Sequence, residues 1–392
     1  MWARFSSRRG GGRRGEVTAI AVAAMFVAAT DACSRIAPRL SAGTDSVYVG
    51  VAVGLQTPAR YVNVFNGVQL ALDELNASRP SGSPPLALRR APANATTSVQ
   101  VAAAFRDDPA VVGVVGHTET DATVSAAPVY DDREHGGANA LVAISPTAGG
   151  AQVTRASTWV FRVCPVVERQ AELLARFAAD SIGARKLAVV YRYDASGKEF
   201  LRALTDVFEK NGRVIVERDP FVEEIPEFAA YAERLAKRHP DGLMIYANAS
   251  DAMRLLHAVH AAGLAPPALT LNAPSSESLK NDAAAAKDAV GLRTLALYDP
   301  DRPQTEPARD FGKKFTARFG SAADKWAALG YDAAMLIGRA VHETGPDRQR
   351  VRDWIASVGQ SRPVYVGVTG NIRFDDQRNP VAKAAVVESV LQ

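Results

Sequence analysis

Residues 47–77 read VYVGVAVGLQTPARYVNVFNGVQLALDELNA, and the fold follows from this stretch. Its first eight residues form a continuous apolar run ending at Gly54, the pattern of a strand buried on both faces. Val64, Phe65, Val68, Leu72 and Leu75 then recur at intervals of three and four and define one face of a helix over 63–77. A buried strand followed by an amphipathic helix is the opening of a βαβ unit, and the alternation continues outward from it. Strands are expected at 86–92, 110–116, 140–145 and 159–163, with helices at 98–106 and 121–132. The rhythm restarts with a helix at 168–182. Strands at 186–191, 213–218, 241–247, 268–273 and 291–298 follow, with helices at 199–211, 227–238 and 251–262 between the first four. Helices at 305–319, 324–343 and 348–359 come next, Gly330 marking a point where the second can break, and short strands at 363–368 and 383–390 close the chain.

Two runs of this kind predict an α/β protein with two doubly wound parallel-sheet lobes. In such sheets ligands bind outside the carboxyl ends of the strands. The loops of interest are those after Gly54, Gly116, Ser145, Tyr191, Ala247 and Ala273.

Length and composition agree. A chain of 392 residues is too long for one ordinary core, and 47% hydrophobic with 22% charged residues is a usual globular mix. The formal charge of +4 is concentrated at one end: Arg4, Arg8, Arg9, Arg13 and Arg14 against Glu16 and Asp31 put +3 on residues 1–32, leaving about +1 for the rest. A nearly neutral body offers no footprint for nucleic acid.

The N-terminus reads as a targeting segment. An Arg-rich stretch precedes VTAIAVAAMFVAA (17–29), which is too short to span a membrane but fits the apolar region of a secretory signal. A signal peptide is expected over 1–32. Thr30-Asp31-Ala32-Cys33 follows where cleavage falls and resembles a bacterial lipobox, which would make Cys33 the lipidated first residue; the alternative is ordinary cleavage nearby. Residues 33–45, rich in Ser, Pro, Gly and Ala, read as a tether. With Cys33 used in processing, Cys164 has no partner for a disulfide.

The body resembles the type I periplasmic binding proteins of the leucine/isoleucine/valine family, which serve ABC transporters. The resemblance is carried by VGVAVGLQTP and FNGVQLALDELNA (65–77), GVVGHTETDATVSAAPVY (113–130), ALVAISPTAG (140–149) and FRVCP (161–165). It continues through KLAVVYRYDASGKEFLRAL (186–204), GLMIYANASDAMRLLHAVHAAGL (242–264) and WAALGYDAAMLIGRAV (326–341), in order over nearly the whole body. It implies lobes joined by a three-strand hinge. Lobe one would comprise 45–163 with 298–366, and lobe two 166–296 with 369–392.

The resemblance also implies site residues. A hydroxyl matching Thr120 binds the ligand carboxylate in the family, beside Asp121 at a helix start where an anion is welcome; the alternative for Thr120 is a plain N-cap. In SPTAGG, Ser145 shapes a turn, and Thr147, Ala148 and Gly149 offer hydroxyl and backbone groups, with Gly149 standing where relatives often carry threonine. Ser196 matches a position where relatives often stack a tyrosine, with Tyr191 and Tyr193 nearby as substitutes and a helix cap as the alternative. Asn248 and Asn272 end strands facing the cleft, where an ordinary turn role is equally open. The family often places an acid near Asn272 to hold an ammonium, whereas here the stretch is NAPSSES and Glu277 is the nearest acid.

His257 and His260 lie three apart on a helix without a third ligand in evidence and read as surface histidines. The chain has no GxSxG, HExxH or CxxC. The expectation is a binding protein and not an enzyme, with no cofactor and no metal. It would be a monomer on the periplasmic or extracytoplasmic face of the membrane, held there by its N-terminal lipid. It would close like a Venus flytrap over an amino-acid-like ligand and deliver it to an ABC transporter permease. A ligand-sensing subunit for a signalling partner and a cell-envelope factor or enzyme on the same fold are the alternatives.

Overall fold

The computed structural model describes residues 46–55, 61–222, 227–274, 276–381, 383 and 385–391. The expected signal peptide, tether and lipidated Cys33 lie outside these residues.

The first half of the chain runs β1 (Val47–Ala52), α1 (Val62–Ala77), β2 (Leu86–Arg90), α2 (Ser98–Asp107), β3 (Val111–Gly116), α3 (Thr120–Tyr130), β4 (Ala143–Ser145), α4 (Gln152–Arg155) and β5 (Val160–Arg162). These strands form one wholly parallel sheet in the order β2-β1-β3-β4-β5. The second run is α5 (Val167–Asp180), β6 (Lys186–Arg192), α6 (Ala195–Phe208), β7 (Val214–Phe221), α7 (Ala229–Arg238), β8 (Gly242–Tyr246), α8 (Ala249–Ala261), β9 (Ala268–Thr270), α9 (Ser276–Lys280), α10 (Ala283–Asp288) and β10 (Leu292–Ala296). Then come α11 (Glu306–Phe319), α12 (Lys325–Thr344), α13 (Arg348–Ala356), β11 (Tyr365–Gly367), β12 (Gly370–Ile372) and β13 (Val386–Ser389). The second sheet has the order β13-β10-β9-β8-β6-β7, parallel except for β13, which runs antiparallel to β10. β11 and β12 make a small separate hairpin.

Each sheet is covered on both faces, as parallel sheets require. On β6, Leu187, Val189 and Tyr191 pack with α5 and α6, while Ala188 and Val190 pack with α7 and α8. The first sheet buries one face under α1, α11, α12 and α13 and the other under α2 and α3. The closest helix pair explains two glycines. A Cβ on Gly67 of α1 would lie 2.0 Å from the Ala327 carbonyl oxygen, and one on Gly330 of α12 would lie 2.9 Å from that of Val64. Gly330 therefore marks helix contact, and α12 continues through it unbroken.

The chain passes between the two sheets after β5, after β10 and before β13. The third passage differs from the expectation that residues 369 onward join the second lobe. Ile372 and Phe374 lie in the core of the first sheet, with the Phe374 ring 5.2 Å from that of Phe161. Arg378 donates from Nη2 to the Thr154 carbonyl at 2.6 Å. The chain returns to the second sheet only at Lys383–Val386. There Lys383 Nζ donates to the Val163 carbonyl at 2.5 Å, tying the third passage to the first. Buried Asp332 on α12 anchors the hairpin beside it, accepting from the backbone of Val368 at 2.8 Å and Thr369 at 2.9 Å.

Candidate ligand-binding site

In the first lobe the carboxyl ends of β1, β3 and β4 converge. The Gly54 N–H donates to Thr118 Oγ1 at 2.9 Å, so the loop after β3 carries the end of β1. Thr147 Oγ1 donates to the Thr118 carbonyl and Ser145 Oγ to the His117 carbonyl, both at 2.6 Å, while Ser145 Oγ accepts from the Ala148 N–H at 3.0 Å. Both hydroxyls, including that of Thr147 expected at the ligand, are thus engaged in joining the two loops. His117 sits beneath them, fully buried, with Nε2 3.0 Å from the Tyr130 hydroxyl. Burial pushes its imidazole down to about 4, so it is neutral and contributes no charge at neutral pH.

Thr120 is the first residue of α3, but its hydroxyl does not cap the helix. Its Oγ1 accepts from the Gly150 N–H at 3.2 Å and from Ser196 Oγ at 3.1 Å. Ser196 belongs to the other lobe. It sits in the first turn of α6, which begins at Ala195 because Asp194 accepts from the Gly197 N–H at 2.7 Å. The helix-cap role weighed for Ser196 therefore falls to Asp194, and Ser196 reaches across the cleft. Beside it, Glu199 Oε2 accepts from the Ala151 N–H at 3.1 Å, and burial raises the pKa of this carboxyl. Gly150 is required at the crossing: a Cβ there would lie 2.6 Å from Thr120 Cγ2 and 3.1 Å from Ser196 Oγ. Tyr246, at the end of β8, lies beside Ser196, and burial pushes its phenol pKa well up.

A second crossing lies at β9. Lys325, the first residue of α12 in the first lobe, donates from Nζ to the Leu271 carbonyl at 2.6 Å and to Asn272 Oδ1 at 2.9 Å. Asn272 Nδ2 donates to the Ala247 carbonyl at 3.0 Å, which fixes the amide with its oxygen toward the lysine. The neighbouring Trp326 stacks edge-to-face with Tyr61 at 5.6 Å, and the Tyr61 hydroxyl donates to Glu119 Oε1 at 3.2 Å. A continuous wall thus runs from the Thr120 loop to Lys325.

The other expected residues take different places. Asn248 caps α8, accepting from the Asp251 N–H at 2.9 Å and donating to Asp251 Oδ2 at 2.8 Å, so the turn role holds for it. Asp121 is exposed. Ala148 is buried, its carbonyl accepting from buried Arg162 at 3.1 Å, and the Gly149 carbonyl accepts from the Val167 N–H at 2.8 Å. Tyr191 is in the core of the second lobe, and Tyr193 is exposed under Lys198. The side chain of Glu277 lies outside the described residues. His257 and His260 both place Nδ1 on Asp288, at 2.8 and 3.0 Å, and no group of three metal-ligating side chains occurs among the described residues.

Gly150, Glu199, Tyr61, Lys325 and Trp326 were not legible as site residues. Only the paired glycines at 149–150 hint at a close approach. Lys325 is more than 50 residues from Asn272 and opens a helix of the other lobe, so no local pattern joins them.

Two α/β lobes, crossed three times by the chain and bridged at the carboxyl ends of both sheets, define a two-lobed receptor of the periplasmic binding type. The chain belongs to the periplasmic binding protein family, whose model matches residues 46–390. It is a binding protein of that family and not an enzyme. A Leu/Ile/Val/Thr-binding protein of Salmonella typhimurium is 23% identical over 71% of this chain and 75% of its own length. An amino acid binding protein of Pseudomonas aeruginosa is 26% identical over 41% of this chain, a match that spans only 44% of that protein. Among solved structures, LivJ of Streptococcus pneumoniae in complex with isoleucine superposes with a TM-score of 0.77 at 19% identity, over 88% of this chain and 95% of that one. A solute-binding protein of an ABC transporter from R. palustris in complex with 4-hydroxybenzoate gives 0.75 at 16% identity, over 88% and 93%. Among the described residues no helix is long and apolar enough to cross a membrane.

Proposed function

We propose that the protein captures a small carboxylate-bearing solute between its lobes outside the cytoplasmic membrane and delivers it to an ABC permease. The observation that carries this reading is the bridge from Thr120 to Ser196, where hydroxyls from the carboxyl ends of β3 and β6 meet across the cleft beside the Gly150 N–H. Polar donors from two lobes facing one volume are what a closing receptor needs: each lobe alone holds the ligand weakly, and closure removes it from water. The relatives support the ligand class, since their stated ligands are aliphatic amino acids, threonine or aromatic acids, all of which carry a carboxylate. Lipidation of Cys33 would keep the receptor at the membrane.

Calorimetry with leucine, isoleucine, benzoate and 4-hydroxybenzoate tests the reading. At least one is expected to bind, and Thr120→Val is expected to weaken that binding by about 1–3 kcal/mol through loss of a hydroxyl in a buried charged contact. If the parent binds a carboxylate and Thr120→Val binds it equally well while melting normally, the ligand does not use this crossing.

A further inference from the structure

Deepening that reading of the cleft and resting on its two closing lobes, we infer that Glu199 is a latch that holds the lobes together independently of the solute. Ser196 and Glu199 stand three residues apart on α6 and so share one face of the helix. Ser196 meets Thr120 at the hydroxyls assigned to the ligand. Glu199 reaches one residue past Gly150 and accepts from the Ala151 N–H at 3.1 Å, at the start of the short helix α4. The two contacts therefore differ in kind: the first lies where the solute is bound, and the second joins the lobes beside it.

The charges around Glu199 are divided between the lobes. On its own lobe the facing group is Glu168, in the first turn of α5, which repels it. On the first lobe the facing groups are Arg155, exposed at the end of α4, and Arg162, buried at the end of β5, and both attract it. Arg162 gives its hydrogen bonds to neutral groups, the Ala148 carbonyl at 3.1 Å and the Thr154 hydroxyl at 3.3 Å. The acids that act on its charge are Glu168 and Glu199 of the second lobe and Asp375. Opening the cleft separates Glu199 from the Ala151 N–H and both guanidinium groups and leaves it beside Glu168; closing reverses this. Because every group in the latch belongs to the protein, it favours the closed form to the same degree with or without solute. Where the latch keeps most solute-free molecules closed, cutting it speeds entry and release together and leaves affinity nearly unchanged. Loss of a side chain that touches the solute speeds release alone.

Small-angle scattering of the solute-free protein tests the latch on the parent, Glu199→Arg, Arg155→Glu and the variant carrying both substitutions, each checked by thermal melting. Each single variant is expected to have a larger radius of gyration than the parent. The double variant is expected to recover part of the parent's compactness, because attraction across the cleft returns with its sign reversed. Arg155 is exposed, so Arg155→Glu opens the lobes without a threat to the fold. Stopped-flow binding of 4-hydroxybenzoate and leucine adds the kinetic signature. For whichever the parent binds, Glu199→Gln is expected to raise the association and dissociation rates together, each by about tenfold, with Kd changed by less than about threefold. Single variants that melt normally and stay as compact as the parent overturn the inference. So does a Glu199→Gln variant in which release alone is faster, since Glu199 is then a ligand contact. If 4-hydroxybenzoate, leucine, benzoate and isoleucine all fail to bind while Glu199→Arg opens the lobes, the latch stands and the receptor reading falls.

Discussion

In the first lobe, the loops after β3 and β4 are bonded to each other: Ser145 and Thr147 hold carbonyls of the 117–118 segment, and Thr118 holds the end of β1. In the second lobe, the loops after β6 and β8 are each bonded to the helix that follows, through Asp194 and Asn248. The first arrangement makes a preformed floor, because moving one loop breaks bonds to the next. The second joins its loops by single side-chain contacts, as where Asn272 Nδ2 meets the Ala247 carbonyl, and lets a few side chains, Ser196, Glu199 and Asn272, reach the opposite lobe. A receptor that presents a fixed half-site and closes a second half over it loses less conformational entropy on binding than one that must order both.

The strongest way to break this comparison is to fill the gap between the halves. Gly150 lies on the floor and is pressed from above, with room for no side chain between Thr120 and Ser196. Gly150→Val is expected to cost about 3 kcal/mol in ligand binding, roughly a hundredfold, by propping the cleft open. Its melting temperature should fall far less than that of Gly67→Val, whose Cβ would strike the Ala327 carbonyl inside the lobe. Small-angle scattering with saturating ligand checks the mechanism. A variant as compact as the parent would show that Gly150 does not sit at the closing surface.

The opposite experiment removes a residue that only serves its own helix. Asn248→Ala should lower stability by about 1 kcal/mol, the usual worth of an N-cap, and leave ligand affinity unchanged. Chemical denaturation and calorimetry on the same variant separate the two effects. A loss of affinity without a loss of stability would return Asn248 to the ligand and erase the distinction drawn between the lobes.

This pair of residues shows what the sequence could and could not reveal. Strand and helix positions were legible because apolar periodicity is a local property: every strand from β1 to β10 falls where a run of Val, Leu, Ile or Ala predicts it. The short helices α4, α9 and α10 and the strand β12 were not, since three to six residues carry no period. The start of α6 at Ala195 was masked by Gly197, a poor helix former. It is needed there because a Cβ would lie 1.9 Å from the Arg192 carbonyl. At the site, Thr120, Ser196 and Asn248 are all small polar residues at helix starts. Sequence cannot tell a cap from a cross-cleft contact, because the difference is set by what the other lobe places opposite. The Lys325 contact is the extreme case, made between the first turn of one lobe's helix and a strand end of the other.

The smallest expected effect lies away from the cleft and sharpens the comparison by contrast. A small recess beside the hinge is lined by Tyr298, Asp299, Arg302, Thr369 and Glu388, none of which takes part in either crossing. Burial first, and then the hydrogen-bonded Asp299 carboxyl, push Glu388 from its ordinary 4.5 up to about 8. A carboxyl whose folded pKa stands above its unfolded value binds its proton more tightly in the folded state. Its stabilising contribution is complete below the unfolded value and is lost as pH rises through about 8. Glu388→Gln keeps a neutral side chain and removes this titration. Parent and variant should melt alike below about pH 4, and the variant should melt higher by about pH 9, where the parent carries two carboxylates side by side. Because the recess is apart from both crossings, ligand affinity at a fixed neutral pH should not change. Melting curves that stay parallel from acid to alkaline pH would show that Glu388 holds no shared proton. A drop in affinity would show that the hinge recess and the cleft are one site rather than two.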